Sequence, residues 1–410
     1  MNEVRNQPPS DSSSQKPARK IPSSTFIVFL VTIQSILLLG QWFIYKTWTW
    51  FRAEPDPSGI TLPQILLVFL SFSFVGSSLL AYRYTNFCVR LFYRIAATWL
   101  GFVNFFFLAA CFCWLVYGGT RLLGMDLPGP GFALVTFAAS ALVGLYGIFN
   151  ARRLRVKKIA VKLRNLPTSW HGRTAALVSD THLGHVNGVT FMRNLVHRLG
   201  NLGPDVIFIA GDLYDGTQAD FERLVAPWKE LSPPHGIYFV TGNHEEFSDR
   251  RKYLQAVAGA GIRVLNNEKV TIDGLQLLGI HDRELGDADQ LRSILHAVEL
   301  DRTRASVLLA HVPQRLAIFE QAGITLQLSG HTHGGQIFPF TRITRRIFGE
   351  YTYGLNRFRE LMVYTSNGAG TWGPPMRVGT EPEIVLIRLE ATDSLGSRNL
   401  GSTTAPRDLA

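Results

Sequence analysis

Cysteine is scarce in this chain: three residues in 410, Cys88, Cys111 and Cys113, with none after position 150. That excludes a disulfide framework, and any metal site in the second half must be built from His, Asp, Glu or Asn. Acidic side chains are also in short supply, 31 against 41 Lys and Arg, for a formal charge of +10. Charge is nearly absent from four windows, 25–45, 62–82, 95–117 and 131–149, each long enough to cross a bilayer. A buried helix of a soluble protein is usually shorter and keeps a polar face, which TFIVFLVTIQSILLLGQWFIY does not have. A cleavable signal peptide fits poorly, because the first run is long, has no clear small-residue cleavage site and is followed by three more. The sequence therefore predicts four transmembrane helices within 25–149.

Lys and Arg set the expected orientation. Arg5, Lys16, Arg19 and Lys20 precede the first window, and the first loop has Lys46 and Arg52 offset by Glu54 and Asp56. Arg83, Arg90 and Arg94 follow, then Arg121 alone, then the run RRLRVKKIAVKLR from Arg152. Heavy and light segments alternate, which predicts a multi-pass protein with both termini and everything after residue 150 in the cytoplasm. The basic run would meet anionic headgroups, making membrane lipids the expected partner. No helix-turn-helix, zinc-finger or aromatic-basic RNA motif accompanies the charge, so no nucleic-acid partner is expected.

Residues 1–24 are rich in Ser, Pro, Gln and charge and read as a disordered tail, as do residues 392–410. Residues 150–170 read as a basic juxtamembrane linker. Over 171–391 short apolar runs, TAALVSD, DVIFIAGD, GIYFVTGN and SVLLAHV, alternate with helix-like segments at 187–200, 219–231 and 248–259. That is the signature of βαβ units. KVTID and LQLLGI around Gly274 suggest a hairpin, and LMVYTS and EIVLIRL suggest late strands. The expected class is α/β, with one mixed sheet or two packed sheets.

Chemistry-bearing residues cluster where these strands end. Asp180 and His182 close the first, Asp212 the second, Asn243 and His244 the third, and His311 a later one. GHTHGGQ, with His331 and His333 among glycines, follows ITLQLS. Ligands of open α/β sheets gather beyond the carboxyl ends of strands, so these five segments are expected to converge. Any one of them alone would be a turn former or a structural histidine. Five in order, with βαβ spacing between them, are not explained that way.

The blocks Asp180-Thr181-His182, Gly211-Asp212-Leu213-Tyr214-Asp215, Gly242-Asn243-His244-Glu245, His311 and Gly330-His331-Thr332-His333 resemble those of the calcineurin-like metallophosphoesterases. The later stretch SNGAGTWGPPMRVGTEPEIVLIRL is similar to the end of a bacterial branch that often has an N-terminal membrane segment. The resemblance implies a four-layer αββα sandwich of two mixed β-sheets flanked by helices. It implies two divalent ions, Mn, Fe or Zn. Asp180, His182, Asp212 and His333 would hold one, Asp212, Asn243, His311 and His331 the other, with Asp212 bridging. His244 is implied as the catalytic residue, stabilising charge or protonating the leaving oxygen after attack by metal-bound hydroxide.

One membrane-attached branch implies a lipid-linked substrate such as UDP-2,3-diacylglucosamine, in lipid A synthesis. A soluble nucleotide-type phosphodiester, and a membrane sensor whose metal-binding domain does no chemistry, are the alternatives. Asp215, His185 and Glu245 fit turn capping, solvent exposure or support of the ligands, and His281 could line the crevice or be structural. The tract FPFTRITRRIFGEYTYGLNRFRE matches neither a helix nor a strand template well. It reads as an irregular insertion or as a cap, with Arg342, Arg345 and Arg346 as phosphate partners.

Overall fold

The computed structural model describes residues 23–52, 59–126, 128–246 and 250–392. Most of both expected tails lies outside those residues. Four long helices come first: α1 (Ser23–Phe51), α2 (Leu62–Ala81), α3 (Phe87–Leu122) and α4 (Pro130–Ala151). All four are long and apolar enough to cross a membrane. α3 is longer than its apolar window because Asn86 caps it, its side chain accepting from the Val89 amide at 3.0 Å. Arg90 and Arg94 are carried on the extra turns. At the far end of the bundle Trp50, Phe51, Trp114 and Tyr117 pack together, the Trp50 and Trp114 rings 4.8 Å apart. Such a cluster suits a headgroup-level aromatic belt.

The segment expected to be a linker contains a strand, β1 (Arg155–Leu163). There follow β2 (Thr174–Val178), α5 (Val189–Leu202), β3 (Val206–Ala210), α6 (Phe221–Val225), β4 (Ile237–Val240), α7 (Arg250–Gly259) and β5 (Arg263–Val264). The hairpin is β6 (Lys269–Ile272) and β7 (Leu275–Ile280), antiparallel as expected. Next come α8 (Ala288–Ala297), β8 (Ser306–Ala310), α9 (Leu316–Ala322), β9 (Leu326–Ser329), α10 (Phe340–Phe348), β10 (Gly354–Phe358), β11 (Leu361–Thr365) and β12 (Glu383–Ala391). The tract after GHTH is thus a helix and a strand.

Two six-stranded mixed sheets result, in the orders β1-β12-β2-β3-β4-β5 and β10-β11-β9-β8-β7-β6. Side-chain alternation builds the layers. On β3, Val206, Phe208 and Ala210 join a core shared with Leu277, Val307 and Leu328 of the other sheet. Ile207 and Ile209 face the opposite way, against Leu195 and Leu199 of α5 and Tyr253 of α7. The outer face of the second sheet packs Leu308 and Val363 on Leu291 of α8 and Phe319 of α9. This is the helix–sheet–sheet–helix order that the family resemblance implies.

Polar contacts dock the bundle on this body. Arg94 of α3 donates to the carbonyls of His185 (2.7 Å) and Val186 (2.9 Å), and Asn104 donates to Phe338 O at 2.9 Å. Asn150, buried at the end of α4, donates to the carbonyls of Arg377 and Thr380.

Candidate metal centre

β2, β3 and β4 run parallel in one sheet, and β8 and β9 run parallel in the other, so their carboxyl ends bring the five sequence blocks to one edge. The chain turns sharply at each block. Asp180, His182, Asp212, His331 and His333 all have φ between +46° and +71°, a region side chains other than glycine seldom occupy. Such strain persists only where the surroundings impose it and concentrates at functional sites. Glycines make the approach possible: a Cβ on Gly242 would strike Asp212 Oδ1, and one on Gly330 would strike Asp180 Oδ2.

Asp180 and Asp212, both buried, stand at the middle. Asp212 Oδ2 is 3.1 Å from His311 Nε2, 3.8 Å from His182 Nε2 and 4.0 Å from His244 Nε2. Asp180 Oδ1 is 3.4 Å from His333 Nε2 and 3.9 Å from His311 Nε2. His182 and His333 bring their Nε2 atoms within 3.0 Å of each other. On the other flank, His331 Nδ1 lies 3.0 Å from Asn243 Oδ1, and its ring packs edge-on to His311.

Three triads have their ligand atoms within 4.8 Å of one another: Asp180–His182–His333, Asp180–Asp212–His311 and His182–Asp212–His244. Five of the seven expected ligand residues, with His244, make up these triads. The other two adjoin them: His331 packs against His311, and Asn243 lies against His331.

The donor set fits divalent cations. His182 Nδ1 and His311 Nε2 are buried and each faces a carboxylate oxygen, Asp215 Oδ1 at 3.5 Å and Asp212 Oδ2 at 3.1 Å. Imidazole nitrogens packed among carboxylate oxygens, with no thiolate, are a mixed N/O donor set that suits a borderline divalent cation. His311 Nδ1 is engaged with Ala210 O at 2.7 Å, which fixes the ring and leaves Nε2 aimed at Asp212.

Burial pushes Asp212 up, but His311, His244 and His182 outweigh it and hold the carboxyl well below its usual range. Burial and the neighbouring His311 lower His331 to about 4. His333 is depressed by burial, His182 and Arg377. Ionised Asp212 and neutral His331 and His333 are in the form that ligates metals. At His182 and His311 burial is outweighed by the neighbouring carboxylates, which favour a proton that a bound cation would displace.

Glu245 organises the loops around this cluster. Fully buried, it accepts from the amides of Asp212 (3.1 Å), Tyr214 (2.9 Å) and Gly242 (2.7 Å), tying two strand ends together. Burial and then the Asp212 charge raise its carboxyl to about 7, against the pull of the amides. Asp215 stands 3.5 Å from His182 Nδ1, and its carbonyl lies 3.1 Å from His244 Nδ1.

His185 turns away, to Tyr84 O and the Thr217 hydroxyl. His281 is structural, its Nδ1 accepting from the Thr241 amide at 3.1 Å while Nε2 meets Asn266. Arg342, Arg345 and Arg346 stand exposed on α10, Arg342 stacked on Phe338, and among the described contacts none of their side chains reaches the ligand cluster. α10 meets the site through Phe348 instead, whose ring is 5.9 Å from that of His331.

Two residues that sequence reasoning did not single out sit against the cluster. Arg377, fully buried, spans the carbonyls of His333, Asn367 and Gly370 and approaches His333 Nδ1 at 3.2 Å. Trp372, half exposed, packs edge-on to His244 at 5.8 Å. Both belong to the TWGPPMRVG stretch, where a lone Arg between Pro and Gly was the available signal.

A cluster of His and Asp side chains that could hold divalent metal stands at the meeting edge of two mixed sheets, the arrangement of a metal-dependent phosphoesterase. Residues 174–335 match the family described as calcineurin-like phosphoesterase. The chain is 29% identical over 403 residues to a transmembrane protein with metallophosphoesterase domain from Danio rerio, covering 89% of each. A bovine protein of the same description is 33% identical over 283 residues, 64% of this chain and 62% of that one. An uncharacterized metallophosphoesterase from Aquifex aeolicus is 31% identical over 264 residues, 61% of this chain and 97% of that one. The chain belongs to the calcineurin-like metallophosphoesterase family and is a hydrolase of phosphoester bonds that uses divalent metal.

Proposed function

We propose that this protein is a membrane-anchored phosphohydrolase with a two-ion centre that cleaves a phosphodiester or pyrophosphate bond on the cytoplasmic side. The observation that carries the reading is the cluster itself: two buried carboxylates, Asp180 and Asp212, ringed by histidine nitrogens 3.1–4.0 Å from their oxygens. Asp180, His182, Asp212 and His333 would hold one ion, and Asp212, Asn243, His311 and His331 would hold the other. Two such ions, when bound, polarise phosphoryl oxygens and generate a nucleophile from water near neutral pH.

The chain's own residues supply position and protons. Glu245 ties the Asp212 and Gly242 loops together through their amides, which holds the Asp212 backbone in place. His244 has Nδ1 held at the Asp215 carbonyl, which leaves Nε2 facing the cluster. There it is placed to give a proton to the departing oxygen. Burial, the first influence on it, lowers its proton affinity, and the Asp212 charge works against that.

A lipid-linked substrate is favoured by α10, whose Phe340, Ile343 and Ile347 are exposed, as is the preceding Phe338. Their spacing puts one apolar stripe opposite Arg342, Arg345 and Arg346, the pattern of a helix lying in a membrane interface. Asn104 of the apolar helix α3 holds Phe338 O, which keeps this stripe beside the bundle. UDP-2,3-diacylglucosamine is one substrate of that chemistry. The basic segments flanking the helices support the cytoplasmic orientation.

The test is turnover by the full-length protein, stripped with chelator and reloaded with Mn, Fe or Zn. A simple phosphodiester, a phosphomonoester and UDP-2,3-diacylglucosamine would be compared. Diester or pyrophosphate cleavage restored by metal supports the reading. Metal binding without turnover of any of the three would favour a sensor.

A further inference from the structure

Between the first turns of α3, the end of α4 and the loop that follows His182 lies an open cleft of about 1190 Å³. Its walls carry Arg90, Arg94, Arg152, Arg198 and Arg223, and Asp220 is the one acidic side chain lining it. Asp220 is already engaged, its Oδ1 capping α6 through the Arg223 amide at 3.1 Å. Arg90, Arg94 and Arg198 donate to the backbone carbonyls of Thr85, of His185 and Val186, and of Leu154. Among the described residues none of the five arginines forms an ion pair.

Five guanidinium groups around one occupied carboxylate leave a strongly positive cleft. Arg90 and Arg94, one turn apart on the same helix face, repel each other unless an anion lies between them and their neighbours. Guanidinium is matched in geometry to phosphate, which it binds through paired N–H donors. The position of the cleft indicates where such a phosphate would come from. α3 and α4 meet the catalytic body here, so the arginines stand where the apolar helices end and headgroups begin. Phe87, exposed at the cleft wall, and Leu91 and Ile95 on the same exposed helix offer apolar surface for the attached chains.

We propose that this cleft binds the phosphate headgroup of an anionic membrane lipid, at a site separate from the metal centre. Its floor couples to that centre. Gly184–Asn187 follow His182 one residue on, after Leu183, and Asn187 Nδ2 donates to Thr181 O at 2.9 Å and Thr371 O at 3.4 Å. A lipid seated here braces the Asp180–His182 turn from behind.

The test uses the full-length protein in neutral detergent, treated with chelator so that binding is read apart from hydrolysis. Failure of the phosphohydrolase reading would leave this readout intact. Retained lipid is counted by native mass spectrometry, and melting is followed with added phosphatidylglycerol or phosphatidylcholine. sn-Glycerol 3-phosphate is the soluble phosphate arm.

Phosphatidylglycerol should be retained roughly tenfold or more over phosphatidylcholine. That preference should be lost in Arg90→Gln/Arg152→Gln/Arg223→Gln and largely kept in the corresponding Lys variants. Lys158→Gln/Lys162→Gln/Lys229→Gln, which removes equal charge elsewhere, should bind as the parent does. The Lys variants separate loss of charge from misfolding. Equal retention of both lipids, or an unchanged preference in the Gln variant, would overturn the site. An equal melting shift from sn-glycerol 3-phosphate alone would overturn the lipid source.

Discussion

Asp212 Oδ2 and His311 Nε2 lie 3.1 Å apart, although one residue follows β3 of the first sheet and the other follows β8 of the second. The pair closes the seam between the two sheets at the point where the ligand cluster sits. Burial disfavours a charge on His311, but the adjoining Asp212 and Asp180 carboxylates reverse that and favour a cation there. Asp212→Asn weakens that field while keeping shape. It is expected to lower turnover on the order of 10³-fold or more with the fold intact. Metal titration with activity at saturating metal checks this, and near-parent turnover would contradict the bridging assignment.

His244 is expected to behave differently from the ligands. His244→Ala should keep the metal stoichiometry and slow hydrolysis about 10²–10⁴-fold, the range for loss of a general acid. The deficit should shrink with substrates whose leaving group needs no proton. A full rate with a poor leaving group would remove the role assigned to this residue.

Glu245→Ala would leave the amides of Asp212, Tyr214 and Gly242 buried without their acceptor. Each orphaned donor costs about 1–3 kcal/mol, so a marked fall in melting temperature is expected. Metal affinity should drop about 10–100-fold, as for other residues that orient ligands from behind. Glu245→Gln, with one accepting oxygen, should fall between. Calorimetry and metal titration of the three proteins measure both effects.

Gly330→Ala should displace the Asp180 carboxylate, because the added methyl meets Oδ2 and the Ser179 side chain. Circular dichroism should be unchanged while affinity for one of the two ions falls. Binding isotherms that still show two equivalent strong sites would count against this packing constraint.

If α10 lies at the bilayer surface, Ile343→Asp/Ile347→Asp should cost about tenfold or more on a substrate presented in vesicles. A water-soluble diester should be hydrolysed as before, since neither side chain touches the ligand cluster. Equal losses on both substrates would point to a structural role for the helix.

Much of the site was legible because its residues terminate strands with strong apolar patterns. Asp180, Asp212 and His311 each follow a buried run such as DVIFIAGD, and parallel strands place such ends on one edge. β1 was hidden by its own charge. In RVKKIAVKL, Val161 and Leu163 enter the shared core while Lys158 and Lys162 point outward, but the same lysines read as a membrane-flanking run.

α10 was hidden for a related reason. Phe340, Ile343 and Ile347 have helical spacing, yet no residue of the helix is buried, so nothing in the pattern marked a core face. Glu245 was left among turn capping, solvent exposure and support of the ligands, and the sequence could not choose the last because its partners are backbone amides brought from elsewhere by folding. Arg377 is similar, being held almost entirely by carbonyl oxygens.

The most direct measurement is hydrolysis of a phosphodiester by the full-length protein with metal content counted in the same sample. The account predicts two divalent ions per chain, loss of turnover on chelation, recovery on reloading, and loss of both turnover and one ion in His311→Ala. Two ions firmly bound with no cleavage of diester, monoester or pyrophosphate substrates would contradict it.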